Sequence, residues 1–254
     1  MNKKLSVLLV VKNEEKQLSD CLESVKFADE VVVILDKCTD KSEEISRRFT
    51  KRIYKGSWDL EGDRRNYGIK KCNNDWIMEI DADERASIEL GNEIMHLIKK
   101  PFNDWYLIPV NNYIGNKIVK YGWGAYFGKS AYPGLFKKGT KIWGKNRVHP
   151  KILLSGKKGF ILKNPILHYY CKDISDMIIK LDNYSTARSL DLFNEKNSES
   201  LLKNLRRIFS RFWKSYFLRK GYKEKNIGVM IALMAALYPL LSYIKYISLK
   251  KKDD

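Results

Sequence analysis

Several signatures are missing from this chain of 254 residues, and each absence closes off a class of function. No CxxC pair occurs: Cys21, Cys38, Cys72 and Cys171 are scattered, without the spacing of metal ligands. They read as free thiols of a reducing compartment, which points to the cytoplasm. Neither GxGxxG nor GxxxxGK[ST] is present, so dinucleotide-binding and P-loop chemistry lack support. Internal repeats and low-complexity linkers are missing too. The apolar run Leu5 to Val11 is short, ends at Lys12-Asn13-Glu14 and is followed by no small-residue cleavage site, so it resembles a signal peptide only superficially. Acidic residues are scarce near the C-terminus. From Leu201 onward 13 Lys and Arg face only Glu224, Asp253 and Asp254, a balance of +10 out of +18 for the whole chain. Such a tail favours an anionic membrane or a nucleic acid as partner.

What is present describes a folded protein. A hydrophobic content of 44% with 31% charged residues excludes wholesale disorder. The first 80 residues alternate between two periodicities. Leu5 to Val11 and Glu30 to Leu35 are short, continuous apolar runs of the kind buried in parallel sheets. Between and after them, Glu14 to Lys26, Thr39 to Phe49 and Gly62 to Lys71 carry helical spacing. Short strands are expected near Arg52 to Tyr54 and over Asp75 to Ile80. Strand and helix in alternation imply an α/β fold with a mainly parallel sheet and right-handed crossovers. Ligands of such sheets bind beyond the carboxyl ends of the strands, so the polar residues there are the candidates. From Pro101 to about Cys171 the pattern suits mixed or antiparallel strands with long loops, and Lys172 to Leu192 reads as a helix.

Asp81-Ala82-Asp83-Glu84 follows the strand that ends at Ile80. Residues two apart in extended chain face the same way, so Asp81 and Asp83 can converge on one hard cation, Mg²⁺ or Mn²⁺, that keeps sites for water and phosphate oxygens. Such a cation would neutralise a leaving diphosphate. Asp36 ends the second strand, where a carboxylate accepts a hydrogen bond from a ribose hydroxyl or a uracil N–H; the competing role is at the start of the next helix, which Asp40 fits better. Lys12, Asn13 and Glu14 end the first strand and either contact the base or form a loop and helix start. Arg65, in Asp63-Arg64-Arg65-Asn66, opens a helix on the same edge and can pair with donor phosphate. His168 reads as a core histidine, and His96 carries no role.

Taken together, Val10-Val11-Lys12-Asn13-Glu14-Glu15, Cys21-Leu22-Glu23-Ser24-Val25, Asp29-Glu30-Val31-Val32-Val33, Thr39-Asp40, Arg65-Asn66 and Asp81-Ala82-Asp83-Glu84 resemble the nucleotide-sugar half of family 2 glycosyltransferases, which have the GT-A fold. The second half is similar to the branch of lipopolysaccharide core β-glucosyltransferases through Leu135-Phe136-Lys137-Lys138, Arg147-Val148-His149, His168-Tyr169, Asn183-Tyr184-Ser185 and Tyr216-Phe217-Leu218-Arg219-Lys220-Gly221-Tyr222, with Gly228 beyond. The resemblance implies inverting transfer from a UDP-sugar, with Asn13, Asp36 and Arg65 near the nucleotide and Asp81 and Asp83 at the metal. Pro150 stands where relatives of that branch usually have a glutamate after the histidine. An inverting transfer needs a base for the acceptor hydroxyl. His149 is then the nearest candidate, as base, as metal ligand or as a structural residue.

The tail bears on the partner. In Leu201 to Leu218, Phe209, Phe212, Trp213, Tyr216 and Phe217 share one apolar stripe beside arginines, which suits an interfacial membrane helix better than nucleic-acid binding. Ile227 to Ile244 has no charge over 18 residues, the lower limit for crossing a bilayer. It lies on the membrane, spans it or packs on the core. The expected organisation is a GT-A domain over 1–198, with a nucleotide-sugar half to about 100 and an acceptor half after it. A basic helical membrane-associating extension over 199–254 follows, and truncation after about 198 should leave a more soluble protein. The expected activity is transfer of a hexose, glucose from UDP-glucose, to a lipid-linked saccharide such as lipopolysaccharide inner core, at the inner face of the cell membrane. The alternatives are another donor, a capsule or protein acceptor, or a sugar-binding protein without catalysis.

Overall fold

A computed structural model describes residues 3–123, 129–145, 150–194 and 199–253. In chain order its elements are β1 (Leu5–Val11), α1 (Leu18–Ser24), β2 (Glu30–Asp36), α2 (Ser42–Arg47), β3 (Ile53–Gly56), α3 (Glu61–Lys71), β4 (Trp76–Ile80), β5 (Glu84–Ala86), α4 (Ile88–Leu97), β6 (Trp105–Ile114), β7 (Lys117–Val119), β8 (Ala131–Lys137), β9 (Lys141–Trp143), β10 (Ile152–Leu154), β11 (Lys158–Ile161), β12 (Ile166–Cys171), α5 (Ile174–Asn194), α6 (Leu201–Trp213) and α7 (Lys225–Asp253). They form two compact units. The first holds 3–111, 131–145 and 150–168; the second holds 112–123, 129–130, 169–194 and the tail.

In the first unit, β3, β2, β1 and β4 are parallel neighbours in that order, and β8 joins β4 antiparallel. The apolar runs dictate this. β1 is buried along nearly its whole length, so both of its faces must be covered. One face packs Leu5, Val7, Leu9 and Val11 against Leu18, Leu22, Leu90 and Ile94 of α1 and α4. The other packs Leu8, with Val32 and Ile34 of β2, against Ile69 of α3. Gly68 is where α3 crosses the sheet, since a Cβ there would lie 2.6 Å from the Leu8 side chain. Two expected helices are shorter than their periodicity. Asn13 adopts φ +56°, and the Glu14 amide donates to Ser42 Oγ at 2.9 Å, so residues 14–17 form a turn before α1. The Ser42 amide donates to Asp40 Oδ1 at 2.9 Å, holding the chain just ahead of α2.

In the second unit, α7 is the central helix. Its Ile231, Met234, Ala235 and Tyr238 pack with Met177 and Leu181 of α5, with Ile114 and Val119 of the β6–β7 hairpin, and with Tyr170 and Cys171. Pro239 lies inside α7 without ending it. By length and composition α7 could cross a membrane, but half of its apolar stretch is buried within the protein. The expected boundary near 198 therefore runs through this unit, because the tail completes the core that α5 begins. α6 ends in a π-helical turn at Lys214–Leu218, and a 3₁₀ turn at Gly221–Glu224 leads into α7. Glu224 is buried and accepts from the Lys120 and Tyr121 amides at 2.8 and 3.1 Å. At Gly228 a Cβ would sit 1.8 Å from the Gly221 carbonyl oxygen, so only glycine admits this crossing.

Candidate active site

The candidate residues of the first unit gather where β1, β2 and β4 end, as the rule for parallel sheets requires. Asp81 and Asp83 follow β4 and are both partly exposed. Arg65 on α3 reaches Asp81, with Nη2 donating to Oδ1 at 2.8 Å, while its Nε donates to Glu61 at 2.8 Å. The guanidinium lies over the Trp143 ring, 4.7 Å from its centroid. Burial works against this charge, but the carboxylates of Asp81, Glu61 and Glu79 outweigh it and push the guanidinium pKa well above its usual value. Arg65 is therefore a fixed cation beside Asp81.

Asp83 has a different neighbour. His168 Nε2 stands 3.3 Å from Asp83 Oδ2. The sheet register brings this about: β12 runs antiparallel to β5, pairing His168 with Glu84 and Leu167 with Arg85. The sequence puts His168 in the core, and it is buried there, with its ring against the acidic turn. The turn is itself held firmly. Glu84 is buried and accepts from the Asp81 amide at 3.0 Å, and Arg85 donates to the Ala82 and Gln17 carbonyls at 2.8 Å.

Below the turn lies a buried ion pair between Glu79 of β4 and Lys141 of β9. Trp143 Nε1 donates to the other Glu79 oxygen at 2.8 Å, and the Tyr132 hydroxyl donates to the Glu79 carbonyl at 2.8 Å. Burial, then the charges of Glu84, Asp81 and Glu79, pushes the Tyr132 phenol well above its usual pKa and keeps it protonated. Nothing local in the sequence marks Lys141 or Trp143 as part of this cluster.

Asp36 is buried at the end of β2. Its Oδ1 accepts from the Trp58 amide and its Oδ2 from Arg64 Nη1, each at 3.0 Å. A carboxylate has about four acceptor positions, so it retains capacity for a ligand hydroxyl or N–H. Asn13 spends its side chain on the fold: Oδ1 accepts from the Thr39 amide at 2.8 Å, tying the loop after β1 to the loop after β2. Lys12 is exposed at the mouth of the same edge, and Glu14 begins the turn before α1. Asn13 and Lys37 both adopt left-handed backbone, at φ +56° and +52°, in the loops that follow β1 and β2. His149 lies outside the described residues.

The acidic turn is the candidate place for a divalent cation. Among the described residues no three carboxylate, imidazole or thiolate groups cluster as a ready cage. Asp83 with His168, and Asp81 beside them, instead offer few donors on an open edge. That fits a cation that keeps several sites for water and phosphate oxygens.

The model of glycosyl transferase family 2 matches residues 6–149, which is more than half of the chain. The chain belongs to that family. An uncharacterized glycosyltransferase of Rickettsia bellii is 25% identical over 96% of this chain and 86% of its own length. A lipopolysaccharide core biosynthesis glycosyltransferase of Rhizobium meliloti, LpsC, is 21% identical over 95% of this chain and 91% of its own. Among solved structures, S. aureus TarS superposes with a TM-score of 0.50 at 14% identity, covering 96% of this chain and 53% of that one. The family 2 member described here thus has the GT-A fold, with the expected long apolar helix near its C-terminus.

Proposed function

We propose that this family 2 member is an inverting hexosyltransferase that moves a sugar, glucose in the first instance, from a UDP-sugar to a lipid-linked saccharide of the lipopolysaccharide-core type. The observation that carries the reading is the acidic turn after β4, where Arg65 fixes Asp81 and His168 faces Asp83. Likeness to the Rhizobium meliloti protein along nearly the whole chain supports the choice of acceptor class.

In this reading Asp36 and the two bent loops at Asn13 and Lys37 hold the uridine, with Lys12 and Glu14 at the rim. Asp81 is oriented by Arg65 and by the buried Glu84. Asp81 and Asp83, with His168 beside Asp83, would hold Mg²⁺ or Mn²⁺, which when bound neutralises charge developing on the departing diphosphate. The acceptor hydroxyl attacks the anomeric carbon as the bond to the diphosphate breaks, and its proton goes to a base, for which His149 remains the candidate. The proposed acceptor class supports a place for the enzyme at the inner face of the cell membrane.

A donor screen scoring UDP release across sugar nucleotides tests the assignment, with Asp83→Ala and metal chelation as arms. Loss of turnover in both, with an unchanged unfolding midpoint, is the expected result. Full activity of Asp83→Ala in chelator would remove the metal role, and no UDP release from any donor would remove the transferase reading.

A further inference from the structure

The second unit contains a helix, α6, with one apolar face turned to solvent. On an α-helix of 3.6 residues per turn, Leu202, Leu205, Phe209 and Trp213 of α6 lie along one face. In a soluble protein such a face is buried. Here Leu202 is 80% exposed, Phe209 78% and Trp213 56%, while on the side turned toward the protein Asn204 is 1% exposed and Ile208 and Phe212 are half-buried. The aromatic ladder continues past the helix end. Trp213 lies 4.3 Å from Phe217 between ring centroids, and Leu218 and Tyr222 are exposed beyond it.

The charges around this stripe have one sign. Between Leu201 and Lys223 the chain has eight Lys and Arg and no acidic residue. Arg207 is turned inward to Glu199 at 2.8 Å, and Arg211 lies 6.0 Å from the Tyr238 ring. Lys203, Arg206 and Lys214 stay exposed along one flank of the stripe. Exposed apolar residues edged by cations suit the boundary between lipid headgroups and acyl chains, where the rings enter the interface and the cations meet anionic headgroups. A single-stranded nucleic acid would instead want the aromatics interleaved with the lysines.

We infer that the exposed face of α6 and of the π-helical turn that ends it, through Leu202, Phe209, Trp213 and Phe217 with Lys203, Arg206 and Lys214, docks this protein on an anionic lipid surface, and that α7 is not the anchor. α7 has its own task in the core of the second unit. This deepens the membrane part of the function proposed above, and it stands independently of the donor and the metal.

The test uses full-length protein with vesicles of phosphatidylcholine alone and of phosphatidylcholine with phosphatidylglycerol. Three variants, all at exposed positions, are compared: Leu202→Ser/Phe209→Ser/Trp213→Ser, Lys203→Gln/Arg206→Gln/Lys214→Gln, and Leu233→Ser/Leu237→Ser on the exposed edge of α7. The first should lower partition onto anionic vesicles by roughly a hundredfold. The second should lower it roughly fivefold per charge and leave weak binding to the neutral vesicles. The third should change little. Thermal unfolding and UDP release with a soluble acceptor should be unaltered throughout. Loss of binding only in the α7 variant would keep the membrane reading and overturn this one. Absence of vesicle binding by the unaltered protein would overturn both. So would a dimer that the first variant converts to monomer without any vesicle binding, or RNA capture in place of vesicle binding.

Discussion

Asp81 and Asp83 stand two residues apart in the chain but answer to different neighbours. Arg65 is bound to Asp81 and His168 faces Asp83, so the two carboxylates are not interchangeable. Asp36 is a third case, already holding the Trp58 amide and Arg64. Asp36→Asn keeps the size but removes the charge, and one amide face can no longer accept. Donor affinity measured by calorimetry should fall by about 1.5–3 kcal/mol, the worth of a hydrogen bond to a charged group. An unchanged dissociation constant would leave Asp36 a purely structural residue. Cys72 gives a prediction with a definite sign. Burial, with the charges of Glu30 and Glu79 adding to it, pushes its thiol from 9.0 up to about 12. Between those values the unfolded chain has released a proton that the folded one keeps, so stability falls as pH rises through this window. Unfolding free energies from urea titrations at pH 8 to about pH 11 should decline more steeply for the unaltered protein than for Cys72→Ala, by up to about 1.4 kcal/mol per pH unit. Equal slopes would contradict the buried thiol. At this scale the acidic pair was legible because both members lie in one short turn after an apolar strand. His168 was not, since its partner lies 85 residues away and only the β5–β12 register joins them.

Among the elements, β9 decides more about the site than its three residues suggest. Asn66 of α3 grips it at both backbone polar groups of Trp143, donating to the carbonyl and accepting from the amide at 2.9 Å each. Trp143 then supports Arg65 from one side and meets Glu79 on the other. The approach of α3 to β9 is so close that a Cβ at Gly62 would lie 1.9 Å from the Gly144 carbonyl oxygen. Gly62→Ala should therefore push β9 away, costing about 1–3 kcal/mol as overpacking does. Because Arg65 rests on Trp143, UDP binding should weaken as well. Calorimetry and urea unfolding on the same sample check this, and a variant with normal affinity and stability would show that β9 yields freely. The parallel strands β1, β2 and β4 were legible because continuous apolar runs have few other uses. β9 and β10 are three-residue strands whose positions come from partners on distant elements, and no local pattern announces them.

At the scale of the whole molecule, the tail was legible as helical, basic and rich in aromatics, but its packing was not. Sequence periodicity finds an apolar face without telling whether protein or lipid covers it. Hydropathy left α7 open as a membrane element or a core helix beside the aromatic stripe of α6, whereas the structure builds the second unit around α7 and leaves one apolar face of α6 to solvent. The consequence reverses the expected effect of truncation. Cutting after residue 198 removes Ile231, Met234 and Tyr238 from a cluster that also holds Ile114, Met177 and Leu181. It also removes Lys245, whose ammonium is held by the Asp182 carboxylate and by the Ser185 and Thr186 hydroxyls at 2.7 Å each. Each large apolar side chain buried is worth about 1.5–3 kcal/mol, so the three lost from α7 remove on the order of 5–9 kcal/mol. That rivals the whole stability of an ordinary domain, about 5–15 kcal/mol. The truncated protein should therefore be less soluble, and α5 should lose protection in hydrogen exchange while the strands of the first unit keep theirs. Replacing exposed Phe209 and Trp213 by serine in the full chain should raise solubility without that loss, which separates the anchoring face from the core helix. A monodisperse truncated protein with α5 protected as before would show that α5 and the β6–β7 hairpin close their own core without α7.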